Sequence, residues 1–169
     1  MNIGIAGIGK MGAAIATRLM EAGNQATVWN RSLEKTKPLA DAGAKIAATP
    51  ADLAKAVDAV ITILTDAAAI NATYGGPSGL LAAELKGRLF IDMSTVQPQT
   101  EIALAQKLRA KGAVFIECPV GGTTGPARQG QLFGFVGGSD VDLARAKTIM
   151  PSHRALRRYR RGSEHETRD

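Results

Sequence analysis

The chain has 169 residues, 45% hydrophobic and 21% charged, with a net charge of +6; that is one domain's length, able to bury about 70% of its unfolded surface, and wholesale disorder is excluded. A single cysteine excludes an internal disulfide framework and a multi-cysteine zinc site, and one Trp, two Tyr and four Phe are too few for a base-stacking nucleic-acid platform. No apolar run approaches the roughly 18 residues of a membrane span and no basic segment precedes the first apolar stretch, so a cytoplasmic protein without membrane partners is expected.

Apolar runs of strand length alternate with helical patterns. Residues 2–7 predict a strand, and residues 11–22 an amphipathic helix with Ile15, Leu19 and Met20 on one face, stopped at Gly23. Residues 26–29 predict a second strand, and Ser32 a cap for a helix over 33–42 closed by Gly43. Thr49-Pro50-Ala51-Asp52 places a cap, a first-turn proline and an N-terminal acid in order for the next helix. The Val- and Ile-rich run 57–64 predicts a strand covered on both faces. Asp66 is a cap for a short helix, and residues 77–86 predict another, stopped by Gly87. A strand over 88–93, a helix over 98–111 and a strand over 114–118 follow. Residues 119–130 predict a Gly- and Thr-rich loop, 132–136 a strand, and Ser139-Asp140-Val141-Asp142 opens a helix to about residue 150. This alternation predicts an α/β fold with a doubly wound, mostly parallel sheet and helices on both faces.

Gly7-Ile8-Gly9-Lys10-Met11-Gly12 falls between the first strand and the first helix, the context that a Rossmann-type dinucleotide turn requires. Gly7 serves the tight turn, Gly9 the approach of a pyrophosphate to the backbone, and Gly12 close helix–strand packing, while the helix N-terminus offers unpaired N–H groups. The plain alternative is an ordinary glycine-rich βα turn. At the end of the second strand an acid would bind the ribose 2′-hydroxyl and favour NAD, but this chain has Trp29-Asn30-Arg31-Ser32. Nothing there repels a 2′-phosphate, the Arg31 guanidinium suits one, and Ser32 adds a hydroxyl; NADP is expected, with NAD left open because Arg31 can equally face solvent. Cys118 ends a strand with no neighbouring basic group and reads as a small buried residue, not a nucleophile.

Gly-x-Gly-x-Met-Gly with the later Asn-Arg-Ser, then Ile91-Asp92-Met93-Ser94-Thr95 before Pro98, then Cys118-Pro119-Val120-Gly121-Gly122-Thr123-Thr124-Gly125-Pro126-Ala127 with Gly130, Leu132 and Gly137-Gly138, resembles the β-hydroxyacid dehydrogenases. That family includes 3-hydroxyisobutyrate, tartronate-semialdehyde and 6-phosphogluconate dehydrogenases. The resemblance covers residues 1 to about 150 and implies a dinucleotide-binding domain there. It implies an oxidoreductase that passes a hydride between a nicotinamide and a small 3-hydroxy acid or semialdehyde, with a lysine as general acid/base, in a homo-oligomer. By resemblance, Gly7, Ile8, Gly9, Lys10, Met11, Gly12, Asn30, Arg31 and Ser32 hold the cofactor. Ile63 and Leu64 line the nicotinamide ribose region, and Ser94 and Thr95 border the nicotinamide, Ser94 on the substrate side. Ser94-Thr95 also reads as a turn before the helix at Pro98. Gly121, Gly122 and Thr123 align with the family's Ser-Gly-Gly carboxylate loop; here glycine replaces the serine and a hydroxyl returns at Thr123.

The family's lysine, with an Asn one helical turn later, lies early in an all-helical second domain. This sequence has no Lys after Lys147 and no Asn after Asn71, so no catalytic residue is assigned and little dehydrogenase activity is expected of it. Residues 151–169 carry six of the 21 Lys and Arg but no lysine, and half the net charge. Three readings of this Arg-rich tail stand: a solvated, disordered terminus, a basic arm, or GC-rich DNA read out of frame, which a nucleotide read past codon 140 separates. The body gives no reason to invoke nucleic acid. The alternative to a dehydrogenase domain is a stand-alone NADP-binding module without catalysis.

Overall fold

The computed structural model describes residues 1–150 and the backbone of 155–158. Its frame is a six-stranded, wholly parallel sheet. The strands are β1 (Asn2–Ala6), β2 (Gln25–Trp29), β3 (Lys45–Ile46), β4 (Ala59–Thr62), β5 (Leu89–Asp92) and β6 (Val114–Glu117), in the order β3-β2-β1-β4-β5-β6. Helices α1 (Lys10–Glu21), α2 (Lys37–Asp41), α3 (Pro50–Ala56), α4 (Ala67–Tyr74) and α5 (Pro98–Ala110) make the connections. The doubly wound fold expected from the alternation is observed.

The pleat sorts each strand's side chains onto two apolar layers. Ile3, Ile5, Ala59, Ile61, Leu89, Ile91 and Ile116 face one layer with Ile15 and Leu19 of α1. Ala6, Val60, Phe90 and Phe115 face the other with Leu53 of α3, Ile70 of α4, and Leu104 and Leu108 of α5. With both faces covered, the strands read as continuous apolar runs. Capping fixes where several helices start. Thr49 Oγ1 accepts the Asp52 N–H at 3.1 Å and Asp66 Oδ1 the Ala69 N–H at 2.8 Å, as the sequence predicts.

A second sheet differs from expectation. The predicted loop 119–130 contains β7 (Val120–Gly121) and α6 (Thr124–Arg128). β7 pairs antiparallel with β8 (Phe133–Val136), so β8 belongs to this small sheet and not to the parallel one. Pro126 does not prevent α6, because it sits in the first turn, where no donor is needed. α7 (Asp140–Lys147) follows, with Ser139 Oγ accepting the Asp142 N–H at 3.2 Å. Within the Arg-rich segment, β9 (Ala155–Arg158) pairs parallel with β8; backbone groups make that ladder whatever the side chains. The readings made for 151–154 and 159–169 lie outside the described residues.

Two predicted helices are also corrected. Residues 77–86 form only a 3₁₀ turn at Leu80–Ala82, because the chain doubles back tightly on itself: a Cβ on Gly79 would lie 2.0 Å from the Gly75 carbonyl oxygen. The helix over 33–42 is a 3₁₀ turn (Leu33–Thr36) running into α2, and Ser32 makes no side-chain capping bond; its carbonyl takes the Lys35 N–H instead.

Candidate functional site

The strand order reverses between β1 and β4, and a ligand crevice is expected outside the carboxyl ends of those strands. The Gly7–Gly12 turn, the Ile63-Leu64 turn, the Asn30–Ser32 segment and the Ser94-Thr95 turn all leave strands at that edge.

The three motif glycines have different surroundings. Gly7 has φ +100°, a region that favours glycine, and a Cβ there would lie 2.1 Å from the Ile63 carbonyl oxygen. A Cβ on Gly12 would lie 1.9 Å from the Gly7 carbonyl oxygen, so α1 can leave the turn this closely only without a side chain. A Cβ on Gly9 would meet nothing within 4 Å. Gly9 is the N-cap of α1, makes no side-chain capping bond, and no acid stands in the first turn. The positive end of α1 therefore opens onto unfilled space beside an exposed Gly9 and Lys10. Ile8 is buried and Met11 packs against the α1 layer of the core, so of these two the backbone is what faces the turn.

Asn30 ties this turn to the end of β2. Its Oδ1 accepts the Ile8 N–H at 2.9 Å, and its Nδ2 donates to the Ser32 carbonyl oxygen at 3.0 Å. Its side chain is thus a brace between the two loops that leave β1 and β2. Arg31 is exposed and forms no ion pair among the described residues.

The turns after β4 and β5 are linked in the same way. Ser94 Oγ accepts the Leu64 N–H at 2.9 Å, and the Ser94 N–H donates to Asp92 Oδ1 at 2.8 Å. Ser94 is 3% exposed, whereas Thr95 is exposed. Burial pushes the Asp92 carboxyl above its ordinary range, against its hydrogen bonding with Ser94, which pulls it down. The sequence reading missed Asp92 as part of this support and Glu101 as a buried carboxyl. Glu101 shares its helix face with Leu104, Ala105 and Leu108, and a charge on an apolar stripe was the available signal.

The predicted carboxylate loop lies on the second sheet. Gly121 is in β7, Gly122 has φ +127°, and Thr123 is the exposed N-cap of α6 without a side-chain capping bond. Next to it α6 packs on α1 beside a cleft of about 310 Å³ with Lys10, Thr17, Thr124 and Arg128 in its walls. Arg128 also reaches Glu21 at 3.4 Å. The larger hollow, about 490 Å³, lies between α4 and α5, away from the switch point. Cys118 is buried, its thiol pushed up to about 12 by burial and then by the charge of Glu117, which agrees with a packing role.

A family described as the NAD binding domain of 6-phosphogluconate dehydrogenase matches residues 2–155. A mitochondrial 3-hydroxyisobutyrate dehydrogenase of Bos taurus is 35% identical over 148 residues, 88% of this chain and 44% of that protein. Glyoxylate/succinic semialdehyde reductase 1 of Arabidopsis thaliana is 36% identical over 132 residues, 78% of this chain and 46% of the relative. The cytokine-like nuclear factor N-PAC of Xenopus tropicalis is 37% identical over 131 residues, 78% of this chain and 24% of the relative. The chain thus spans less than half the length of these relatives. Among solved structures, "Psf3 in complex with NADP+ and 2-OPP" superposes with a TM-score of 0.90 at 29% identity, covering 94% of this chain and 57% of the other. A reductive aminase of Aspergillus terreus solved with NADPH superposes with a TM-score of 0.81 at 26% identity, over 94% and 54%. Among the described residues, no helix is long and apolar enough to cross a membrane.

Proposed function

Because the chain belongs to the family of the NAD binding domain of 6-phosphogluconate dehydrogenase, we propose that it binds NADP(H) at the β1–β4 switch point as the cofactor half of a hydroxyacid dehydrogenase. The observation that carries this reading is the glycine cradle. Gly7 and Gly12 are closed in by backbone, while Gly9, at the uncapped N-terminus of a twelve-residue helix, faces open space. That is the shape and polarity a pyrophosphate needs: room beside the backbone, free N–H donors and the positive end of a dipole. The residues present fit the group.

In this reading Gly9, Lys10, Met11 and Gly12 present backbone N–H groups to the pyrophosphate. Asn30 keeps the two loops in register and leaves Arg31 and the Ser32 hydroxyl to meet the adenosine ribose end. Arg31 supplies a planar cation where an acid would select against a 2′-phosphate, so NADP is preferred over NAD. Ile63 and Leu64 wall the nicotinamide ribose, and Thr95 borders the nicotinamide with Ser94 setting the turn. Bound here, the cofactor supplies hydride transfer at its nicotinamide. Gly121, Gly122 and Thr123 offer backbone N–H groups and one hydroxyl to the carboxylate of a small 3-hydroxy acid or its semialdehyde.

Hydride transfer to or from an alcohol carbon needs a proton donor or acceptor on the oxygen. No lysine follows Lys147 in these 169 residues. In this reading residues 1–150 are the binding domain, and turnover by the 169-residue chain alone is expected to be negligible. The second reading, a binding module without turnover, keeps the same glycine cradle and needs no catalytic lysine. Fluorescence titration of the 169-residue chain with NADPH and NADH, followed by an assay with 3-hydroxyisobutyrate, tests both. Saturable binding tighter for NADPH, without turnover, is expected. Absence of saturable binding overturns the reading of the cradle, and robust turnover overturns the assignment of the missing lysine.

A further inference from the structure

The cleft of about 310 Å³ between α1 and α6 has small walls and a positive lining. Ala13 and Ala14 of α1 and Gly125 of α6 line it, and an added Cβ on Gly125 would meet nothing within 4 Å. Side chains this small let two packed helices keep a hollow between them, at the low end of the roughly 300–1,000 Å³ of small-molecule pockets. Lys10 enters from the first turn of α1, Arg128 from the last turn of α6, and Thr124 brings a hydroxyl; no acidic side chain lines the cleft. Lys10 forms no ion pair among the described residues. Arg128 reaches Glu21 at 3.4 Å, but both side chains are about half exposed, and such a contact is worth little in water. The Thr17 hydroxyl is already spent, because it donates to the Ala13 carbonyl oxygen at 2.8 Å. The uncapped N-terminus of α1, with no acid in its first turn, adds to the positive potential on the Lys10 side.

We propose that this cleft is an anion site that takes the phosphate or carboxylate group of a small ligand between the Lys10 and Arg128 side chains. Such a group presents several acceptor oxygens, the complement of an ammonium, a guanidinium and a hydroxyl. The Arg128 guanidinium offers a planar two-point contact, and the Lys10 ammonium a point charge on a flexible stem that can follow a further oxygen. The organic part of the ligand rests on Ala13, Ala14 and Gly125, which bring no polar side chain of their own. Glu21 is the competitor, because an incoming anion must displace it from Arg128 or share the guanidinium with it. The site is separate from the glycine cradle. Lys10 enters the cradle through its backbone N–H, and Thr124 and Arg128 do not enter it at all, so the proposal does not depend on dinucleotide binding.

Amide NMR of the 169-residue chain tests this with two probes, glycerol 3-phosphate and succinate, in about 20 mM salt so that screening is slight. At least one probe is expected to shift the Thr124, Gly125 and Thr17 signals saturably, with a Kd on the order of 1 mM, and the tighter of the two identifies the oxyanion. Lys10→Gln and Arg128→Gln, both at exposed positions, are each expected to weaken that binding by about three- to tenfold. Glu21→Gln is expected to strengthen it by about two- to threefold, because it frees Arg128. Lys107→Gln makes the same change of net charge on α5 and is expected to leave the Kd within about twofold. Added NADPH is expected to leave it within about threefold. Shifts that saturate with neither probe, an Arg128→Gln chain that binds as wild type does, or an equal loss in Lys107→Gln overturns the proposal. Displacement by NADPH also overturns it, because the anion then occupies the cradle. Should the chain bind no NADPH while the cleft titrates as expected, the cofactor reading fails and the anion site stands.

Discussion

Replacing Gly9 by alanine separates binding from folding at one atom. Gly9 has φ −82° and ψ −168°, extended backbone open to any residue, and its added Cβ would touch nothing within 4 Å. The folded chain should accept the methyl group without strain. Restricting the unfolded chain then stabilises the fold by about 0.4–1 kcal/mol, and Tm should rise by roughly 1–4 °C. In the proposed site the same methyl group fills the place where the pyrophosphate approaches the backbone. Lengthening two charge-assisted hydrogen bonds there costs about 2–4 kcal/mol, or roughly 30- to 1000-fold in affinity. Gly12→Ala is the contrast. Its Cβ would sit 1.9 Å from the Gly7 carbonyl oxygen, a backbone atom that cannot swing aside. A loss on the order of 3 kcal/mol and 6–12 °C in Tm is expected. Thermal melts by circular dichroism and NADPH fluorescence titration measure both quantities on each variant. A Gly9→Ala chain that melts as wild type or higher and binds NADPH within about twofold of wild type would refute the placement of the pyrophosphate.

Further outcomes are expected elsewhere. Arg31→Ala should weaken NADPH binding by about 10- to 100-fold and leave NADH within about twofold, and equal loss for both cofactors would remove the 2′-phosphate assignment. The Cys118 thiol, pushed up to about 12, should resist iodoacetamide at about pH 8 in the folded chain and react fully in denaturant; rapid labelling of the folded chain contradicts its burial. Asp92 binds its proton more tightly folded than unfolded, so its stabilising contribution is full below its ordinary 3.8 and declines as pH rises through the raised folded value. The Tm of Asp92→Asn should therefore gain on that of wild type as pH rises from about 4 to about 8, and a constant difference refutes the shift.

The parts of this molecule that were legible in its sequence are those set by local rules. Thr49, Asp66 and Ser139 cap helices because short side-chain oxygens sit three residues before an N–H that needs an acceptor. The strand read at 57–64 and observed at Ala59–Thr62 was legible because burial on both faces favours a mostly apolar, Val- and Ile-rich run. What was not legible depends on distant partners. α6 and β7 hide in a Gly- and Thr-rich segment because their stability comes from α1 and β8, not from propensity. Ser32 looks like a cap, but the following turn is 3₁₀ and uses its carbonyl instead. Asn30 was readable as a motif residue, but not as the brace to Ile8, 22 residues away.

This division bears on how the candidate site can vary. The cradle proposed for the pyrophosphate is made of backbone and of missing side chains: two glycines enforced by carbonyl oxygens, and one left open. Such a cradle ignores most surface substitutions, which suits a domain shared by relatives with names as different as a dehydrogenase, a semialdehyde reductase and a nuclear factor. In the proposed reading, cofactor choice and substrate choice rest on side chains or loops that leave the same edge, Arg31 on one flank and Gly121–Thr123 on the other. Each can change without disturbing the sheet, because neither contributes to the two apolar layers that hold it. Asp92 is the exception. It is fully buried and accepts the Ser94 N–H behind this edge, so a change at Asp92 also draws on the stability of the fold.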